Sequence, residues 1–398
     1  MENEKRKMPK RRFAGFTDDW EERKAIDIAE YSKGNGYSKS DLTEVGTPII
    51  LYGRLYTKYQ FAIDEVDTFA TPKNNAVYSQ GNEVLIPASG ETAEDIARAS
   101  AVEKSGVLLG SDLNILRPFD FINPLFLALA ISSGYTQKEL AKKAQGKSVV
   151  HIHNSDIQEA SVSYPLRAEQ DRIVTVFRSL DHLITLHQRK LDKLDSIKKS
   201  YLSEMFPQEG EKKPKRRFKG FTDDWEKRKI SELFKVTRGY VLAATSTRAN
   251  KVDAMPYPVY SSQTKDNGLM GYYSDYLYEN AITWTTDGAN AGTVNYREGK
   301  FYCTNVCGVL LSNEVKANQM IAELLNIVAK GYVSYVGNPK LMNNVMADIE
   351  IRLPSQVEER ERLSCFFASL DHLITLHQRK LQKLKNIKQA YLNEMFCR

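Results

Sequence analysis

Apolar residues recur at helical spacing in two long stretches of this chain. In the first they fall at Ile173, Phe177, Leu180, Ile184, Leu191, Leu194, Tyr201 and Met205. In the second they fall at Leu363, Phe367, Leu370, Ile374, Leu381, Leu384, Tyr391 and Met395. The steps alternate between four and three, the spacing of a coiled-coil seam. Polar residues interrupt both stripes at equivalent places, His187 and His377, then Lys198 and Lys388. No glycine or proline occurs in 166–206 or in 355–396, and Pro207-Gln-Glu-Gly210 is a stop signal for the first helix. A helix of about 39 residues is about 58 Å long. A lone helix with so narrow a stripe must bury it on something. The nearest partner is its own copy, so the pattern predicts an antiparallel pair within the chain. The alternative is that each helix packs on its own globular domain or on another subunit.

The two stretches are copies. Residues 179–206 return as 369–396, with 22 of 28 positions identical. A short motif, 9–24, returns as 214–229, with 14 of 16 identical. The offsets are 190 and 205 residues, so the segment between motif and helix is 15 residues shorter in the second half. These intervening regions, 25–165 and 230–354, share no evident sequence. The expected architecture is α/β (α+β), a pseudo-two-fold tandem repeat. Residues 1–165 form a first globular domain that includes the motif, and 166–206 a long spacer helix. Residues 207–229 link the halves and carry the second motif, 230–354 form a second globular domain, and 355–398 a second spacer helix. A chain that repeats its frame and varies its inserts presents two different surfaces in one geometry.

Composition narrows the class. Hydrophobic residues make up 42% and charged residues 27%, which excludes a disordered chain, a collagen-like chain and a membrane bundle. The longest apolar run, 124–131, is far below the roughly 18 residues of a bilayer span. Residues 1–12 hold no apolar stretch, so no signal peptide is expected and the expected location is cytoplasmic. Cys303, Cys307, Cys365 and Cys397 do not make a disulfide framework.

Catalytic patterns are absent or broken. Gly146-Lys147-Ser148 ends like a phosphate loop, but Ala141 stands where its first glycine belongs. Gly34-Asn35-Gly36 reads as a turn. Asn123-Pro124-Leu125-Phe126 lacks the second proline of an adenine-methylase motif and reads as a helix start. Cys303 and Cys307 have no second pair, and His151 and His153 have no companion ligands, so no metal is expected. Glu22-Arg23-Lys24 imitates a nuclease Glu-x-Lys, but its copy reads Glu226-Lys227-Arg228. The chain is expected to perform no chemistry alone and to hold no cofactor.

The repeated Ser-Leu-Asp-His-Leu-Ile-Thr-Leu-His-Gln-Arg-Lys-Leu at 179–191 and 369–381 resembles the specificity (S) subunit of type I restriction-modification systems. So do the lead-ins Pro165-Leu-Arg-Ala-Glu169-Gln170 and Pro354-Ser-Gln-Val-Glu358-Glu359, and Tyr52-Gly-Arg54-Leu-Tyr56-Thr57 with the stretch 337–354. Glu359-Arg360 departs from the Glu-Gln that the family favours. The resemblance covers nearly the whole chain. It implies two target recognition domains, each reading one half of a bipartite sequence in double-stranded DNA. It implies that the helices space these domains, on the scale of a DNA turn of ~34 Å, and dock two methyltransferase (M) subunits. Those subunits would use S-adenosylmethionine to methylate flipped-out adenine. Restriction (R) subunits would add cleavage driven by ATP with Mg. Unequal recognition domains imply an asymmetric target. The competing readings are a non-catalytic scaffold and a self-contained restriction-methylation enzyme, whose methylase signature is missing here.

Side chains that read base edges or phosphates are candidates where glycines or aromatics flank them. The DNA-binding candidates are Lys33, Asn35, Tyr37, Arg54 and Lys58 in the first domain. In the second they are Arg248, Gln263, Lys265, Asn290, Lys340 and Asn343. The helix-pairing candidates are Leu180, Ile184, His187, Leu191 and Leu194 with Leu370, Ile374, His377, Leu381 and Leu384. Net charge is +6, yet residues 25–167 carry −4 and residues 230–357 carry zero. The excess lies on the repeated frame. Since DNA affinity rests largely on phosphate neutralisation, the methyltransferase subunits are expected to supply most of the electrostatic grip.

Overall fold

The computed structural model describes residues 8–146, 149–262 and 265–396. They form two compact units, one of residues 8–187 with 380–396, the other of residues 188–379.

In the first unit the motif forms a strand, Glu21–Lys24, paired antiparallel with Ser161–Tyr164. That pair leads into the long helix Arg167–Met205. The insert between them builds two five-stranded sheets. One runs in the order Ala29–Lys33, Leu113–Pro118, Glu83–Pro87, Ser100–Val102, Ala62–Ile63. The other runs Leu42–Thr43, Phe69–Ala70, Thr47–Ile50, Ser105–Leu109, Tyr78–Gln80. Asn123 caps the helix Pro124–Ile131, accepting from the Leu125 and Phe126 amides at 2.9 and 3.3 Å, so Asn123-Pro124 is a helix start as its sequence reads. This helix is apolar all round and buried, as a core helix must be.

The second unit repeats the frame. Glu226–Lys229 pairs antiparallel with Glu350–Leu353, which leads into the long helix Val357–Glu394. Its insert is different: one six-stranded sheet in the order Phe234–Arg238, Cys307–Ser312, Tyr278–Thr285, Val294–Cys303, Tyr257–Tyr260, Leu269–Tyr273. The sheet curls, since the Tyr240 amide beyond the first strand donates to Cys303 O at the end of the fourth, at 3.1 Å. The helix Gln319–Val328 covers it. At Gly308 an added Cβ would sit 2.1 Å from the Trp284 ring, so only glycine fits there.

Each unit is closed by the far end of the other repeat's helix. In the first unit Phe396 packs on Trp20, Phe126 and Phe177. In the second Phe206 packs on Trp225 and Phe367. The polar contacts repeat in the same way. Arg12 grips Glu169 with two bonds of 2.8 Å, and Arg217 grips Glu359 with bonds of 2.6 and 2.7 Å. Arg11 pairs with Glu394 at 2.7 Å, and Arg216 with Glu204 at 2.5 Å.

These contacts fix the helix direction within each unit. Asp181 meets Lys388 where Phe177 meets Phe396, and Asp371 meets Lys198 where Phe367 meets Phe206. The segments therefore run antiparallel in both. Of the seam candidates, Leu180, Leu370 and Leu381 are buried. Ile184, His187, Leu191, Leu194, Ile374, His377 and Leu384 are half-buried, which suits a two-helix contact with no third layer. Lys198 and Lys388 interrupt the apolar stripe but are ion-paired, with Asp371 at 2.6 Å and Asp181 at 2.5 Å. Lys198 also reaches the buried Glu323 at 2.7 Å. Within 207–229, expected as a linker, Trp225 is buried and Phe218 packs against the second unit's core.

Candidate nucleic-acid interface

Candidates in the first unit fall in two places. Lys33 ends its strand and Asn35 follows in the turn, both exposed. That turn lies hard against Gly110: a Cβ at Gly34 would be 1.9 Å from Gly110 O, and the Asn35 amide donates to Leu109 O at 3.1 Å. Tyr37 is not at the surface as expected. It is buried, and its hydroxyl accepts the Lys73 amide at 2.6 Å while the Lys73 ammonium lies over its ring and bonds Asp41 at 2.5 Å. It is a post holding the loop. Arg54 is the second correction. It is buried and spent on Asp67 at 2.5 Å, Gln60 at 3.1 Å and Glu65 O at 2.8 Å. Lys58 is exposed and bonds the same Asp67 at 2.6 Å. Lys58, then Arg54, hold the Asp67 carboxyl down to about 2.

In the second unit three candidates come together. The loop 286–290 is joined to 338–343 by Gly288 N–H donating to Pro339 O at 2.9 Å and Leu341 N–H donating to Thr286 O at 2.8 Å. Lys340 is exposed on this seam, 3.8 Å from Asp287. Asn290 donates to Ser262 O at 3.1 Å and Asn343 to Thr237 O at 3.3 Å, which leaves each amide oxygen as an acceptor. Arg248 is exposed and its backbone pairs with Tyr272, outside this seam. Gln263 lies outside the described residues, as do Lys147, Ser148 and Cys397. Lys265 opens the turn 265–268.

The sequence reading missed Arg297, a cation inside the curled sheet. Its only signal is an inward position in a long strand of mixed polarity. Cys303 and Cys307 line the same interior, and burial pushes the Cys307 thiol up to about 11. Both are free, and no group of His, Cys, Asp and Glu among the described residues is arranged to hold a metal. His151 meets Ser89 Oγ at 3.1 Å, and His153 precedes a short helix. No described helix is long and apolar enough to cross a membrane.

Two different β-rich inserts, each mounted on the same strand pair, motif and helix, define a bimodular recognition protein. The family model for the type I restriction modification DNA specificity domain matches residues 17–196 and again 222–386, and the chain belongs to that family. It is a DNA-binding type I specificity subunit, a non-catalytic class. It is 30% identical over 218 residues to a type I specificity subunit of Mycoplasma pneumoniae, spanning 54% of this chain and 84% of that one. It is 22% identical over 410 residues to the MjaX specificity subunit of Methanocaldococcus jannaschii, spanning 94% and 92%. Its fold matches the crystal structure of the type I S subunit from M. genitalium with a TM-score of 0.75 at 16% identity, covering 98% of this chain and 99% of that one.

Proposed function

We propose that this chain reads an asymmetric, bipartite DNA sequence, one half with each unit, and carries two copies of one methyltransferase subunit. The observation that supports this reading is an unchanged frame holding two inserts of unrelated sheet architecture. The test is to replace residues 26–160 with the equivalent region of another such protein, co-express the chain with its methyltransferase subunit, and sequence the host DNA for methyl-adenine. One half of the motif should change and the other stay. An unchanged motif would reject recognition by that unit and favour a scaffold. Methylation by the purified chain alone would instead make it a self-contained enzyme.

Docking of two identical partners is supported by what the repeats keep. Beyond residue 191 the helix copies differ at 192, 195, 196, 199, 200 and 203, all exposed in the first helix. Exposed positions there have drifted freely. Across 179–191 and 369–381 nothing has drifted, although Leu183, Leu186, Leu373 and Leu376 are 36–41% exposed. Exposed leucines gain nothing from water, so their retention supports one apolar contact made twice. Changing the first pair to serine should halve the methyltransferase bound per chain, and changing both pairs should abolish it. Full binding by the four-fold variant would reject this surface. The partners would bring S-adenosylmethionine, and the restriction subunits ATP with Mg.

A further inference from the structure

The other buried arginine among the described residues, Arg54, faces the carboxylate of Asp67, and the half-buried Arg12 and Arg217 face Glu169 and Glu359. Arg297 does not. It is 7% exposed, and no described carboxylate lies within ion-pair distance of it. Its Nε donates to Thr283 Oγ1 at 3.0 Å and its Nη2 to Asn267 O at 2.7 Å. The guanidinium carbon lies 3.6 Å from the centroid of the Tyr260 ring. Burial works against its charge, and the two thiols beside it, Cys307 and Cys303, are held protonated by their own burial and cannot offset it. A buried charge is normally paired or ligated, because taking it out of water is costly.

The charge is also placed to be reached. Asn267 belongs to an exposed turn with Asp266, both in the left-handed region at φ 53° and 49°. Arg297 holds this turn by its carbonyl, so the guanidinium ends just beneath the surface. Apart from Tyr260, which lies against the guanidinium, Nη1 has no hydrogen-bond partner among the described residues. The side-on fork of Nε and Nη2 is occupied, so only the Nη1 end is open. A neutral base edge would leave the charge uncompensated, whereas a phosphate oxygen neutralises it.

We infer that Arg297 seats a phosphodiester oxygen of the DNA backbone, so that the second unit's half-site is gripped from inside the curled sheet. This rests on the DNA-reading function proposed above.

The test uses the chain assembled with its methyltransferase subunits and a duplex carrying the motif found by methyl-adenine sequencing. Affinity is measured against salt. R297Q keeps a polar side chain without the charge. It should lower the slope of log K against log salt by about 0.9, one phosphate, and weaken altered and unaltered half-sites alike. R297K should retain the slope. An unchanged slope in R297Q, or a loss confined to one base position, overturns the inference. If R297Q does not fold, R297K decides: a folded R297K assembly whose slope has fallen by one phosphate overturns the inference. A parent assembly that shows no sequence preference would defeat the proposed function itself, whereas a selective parent with an unmoved slope defeats only the role of Arg297.

Discussion

Glu359→Ala should destabilise the second unit by about 3–5 kcal/mol, the usual cost of breaking a buried ion pair from one side. The geometry puts this pair at that end of the scale. Glu359 is 1% exposed and Arg217 12%, and the carboxylate takes both Nε and Nη2, at 2.6 and 2.7 Å. After the substitution the guanidinium keeps only its bond to Asp223 O at 2.7 Å and remains buried. For a unit of this size that is a fall in Tm on the order of 10 °C. The assay is calorimetry of the full chain, where two units need not melt as one. The second unit's transition should move while the first unit's stays, and E169A should do the converse. Replacing both partners by apolar residues, R217M with E359L, should recover most of the loss, because no charge is then stranded. A cost below about 1 kcal/mol for E359A, or a double variant as poor as the single, would refute the view that these pairs clamp the motif to the helix.

Three further outcomes follow. Iodoacetamide at pH 8 should label exposed Cys365 and spare Cys303 and Cys307, whose thiols burial holds far from ionisation; native labelling of Cys307 would mean that the sheet opens. Asp67 should titrate near 2 by NMR, and K58M should move its midpoint upward. Because its pKa is depressed on folding, the stabilisation it gives is complete above its ordinary value and fades as pH falls toward 2; an unmoved midpoint would remove Lys58 as the cause. G308A should cost about 1–3 kcal/mol by overpacking against Trp284, read as a lower Tm, and no loss would mean that the ring has room to retreat.

The long helices were legible because one physical rule acts over their whole length. A stripe at steps of four and three needs an apolar partner along its whole length, and here the other helix copy and the unit cores supply it, with Phe177 and Phe367 in those cores. The sheets were not legible, because their short strands are set by pairings distant in sequence, such as Ala29–Lys33 with Leu113–Pro118. Candidate residues chosen by type divided on burial. Lys33, Asn35 and Lys340 are exposed, but Tyr37 and Arg54 serve Lys73 and Asp67, partners 36 and 13 residues away that local sequence does not announce. Arg297 was missed for the converse reason. A charged residue in a strand reads as solvent-facing until the sheet is seen to curl over it. The paired seam lysines were visible as interruptions, while the acids that justify them lie on other elements.

Closure of each unit by the other repeat's helix has a consequence for synthesis. Met395 and Phe396 belong to the core around Trp20 and Phe126, and Glu394 holds Arg11. Residues 188–379 contain all that the second unit packs, so that unit can finish as soon as it has left the ribosome. The unit made first must wait, its Trp20 pocket uncovered, while about two hundred further residues are added. A chain interrupted shortly before residue 391 would thus harm the domain nearest its start, and spare the one nearest the break.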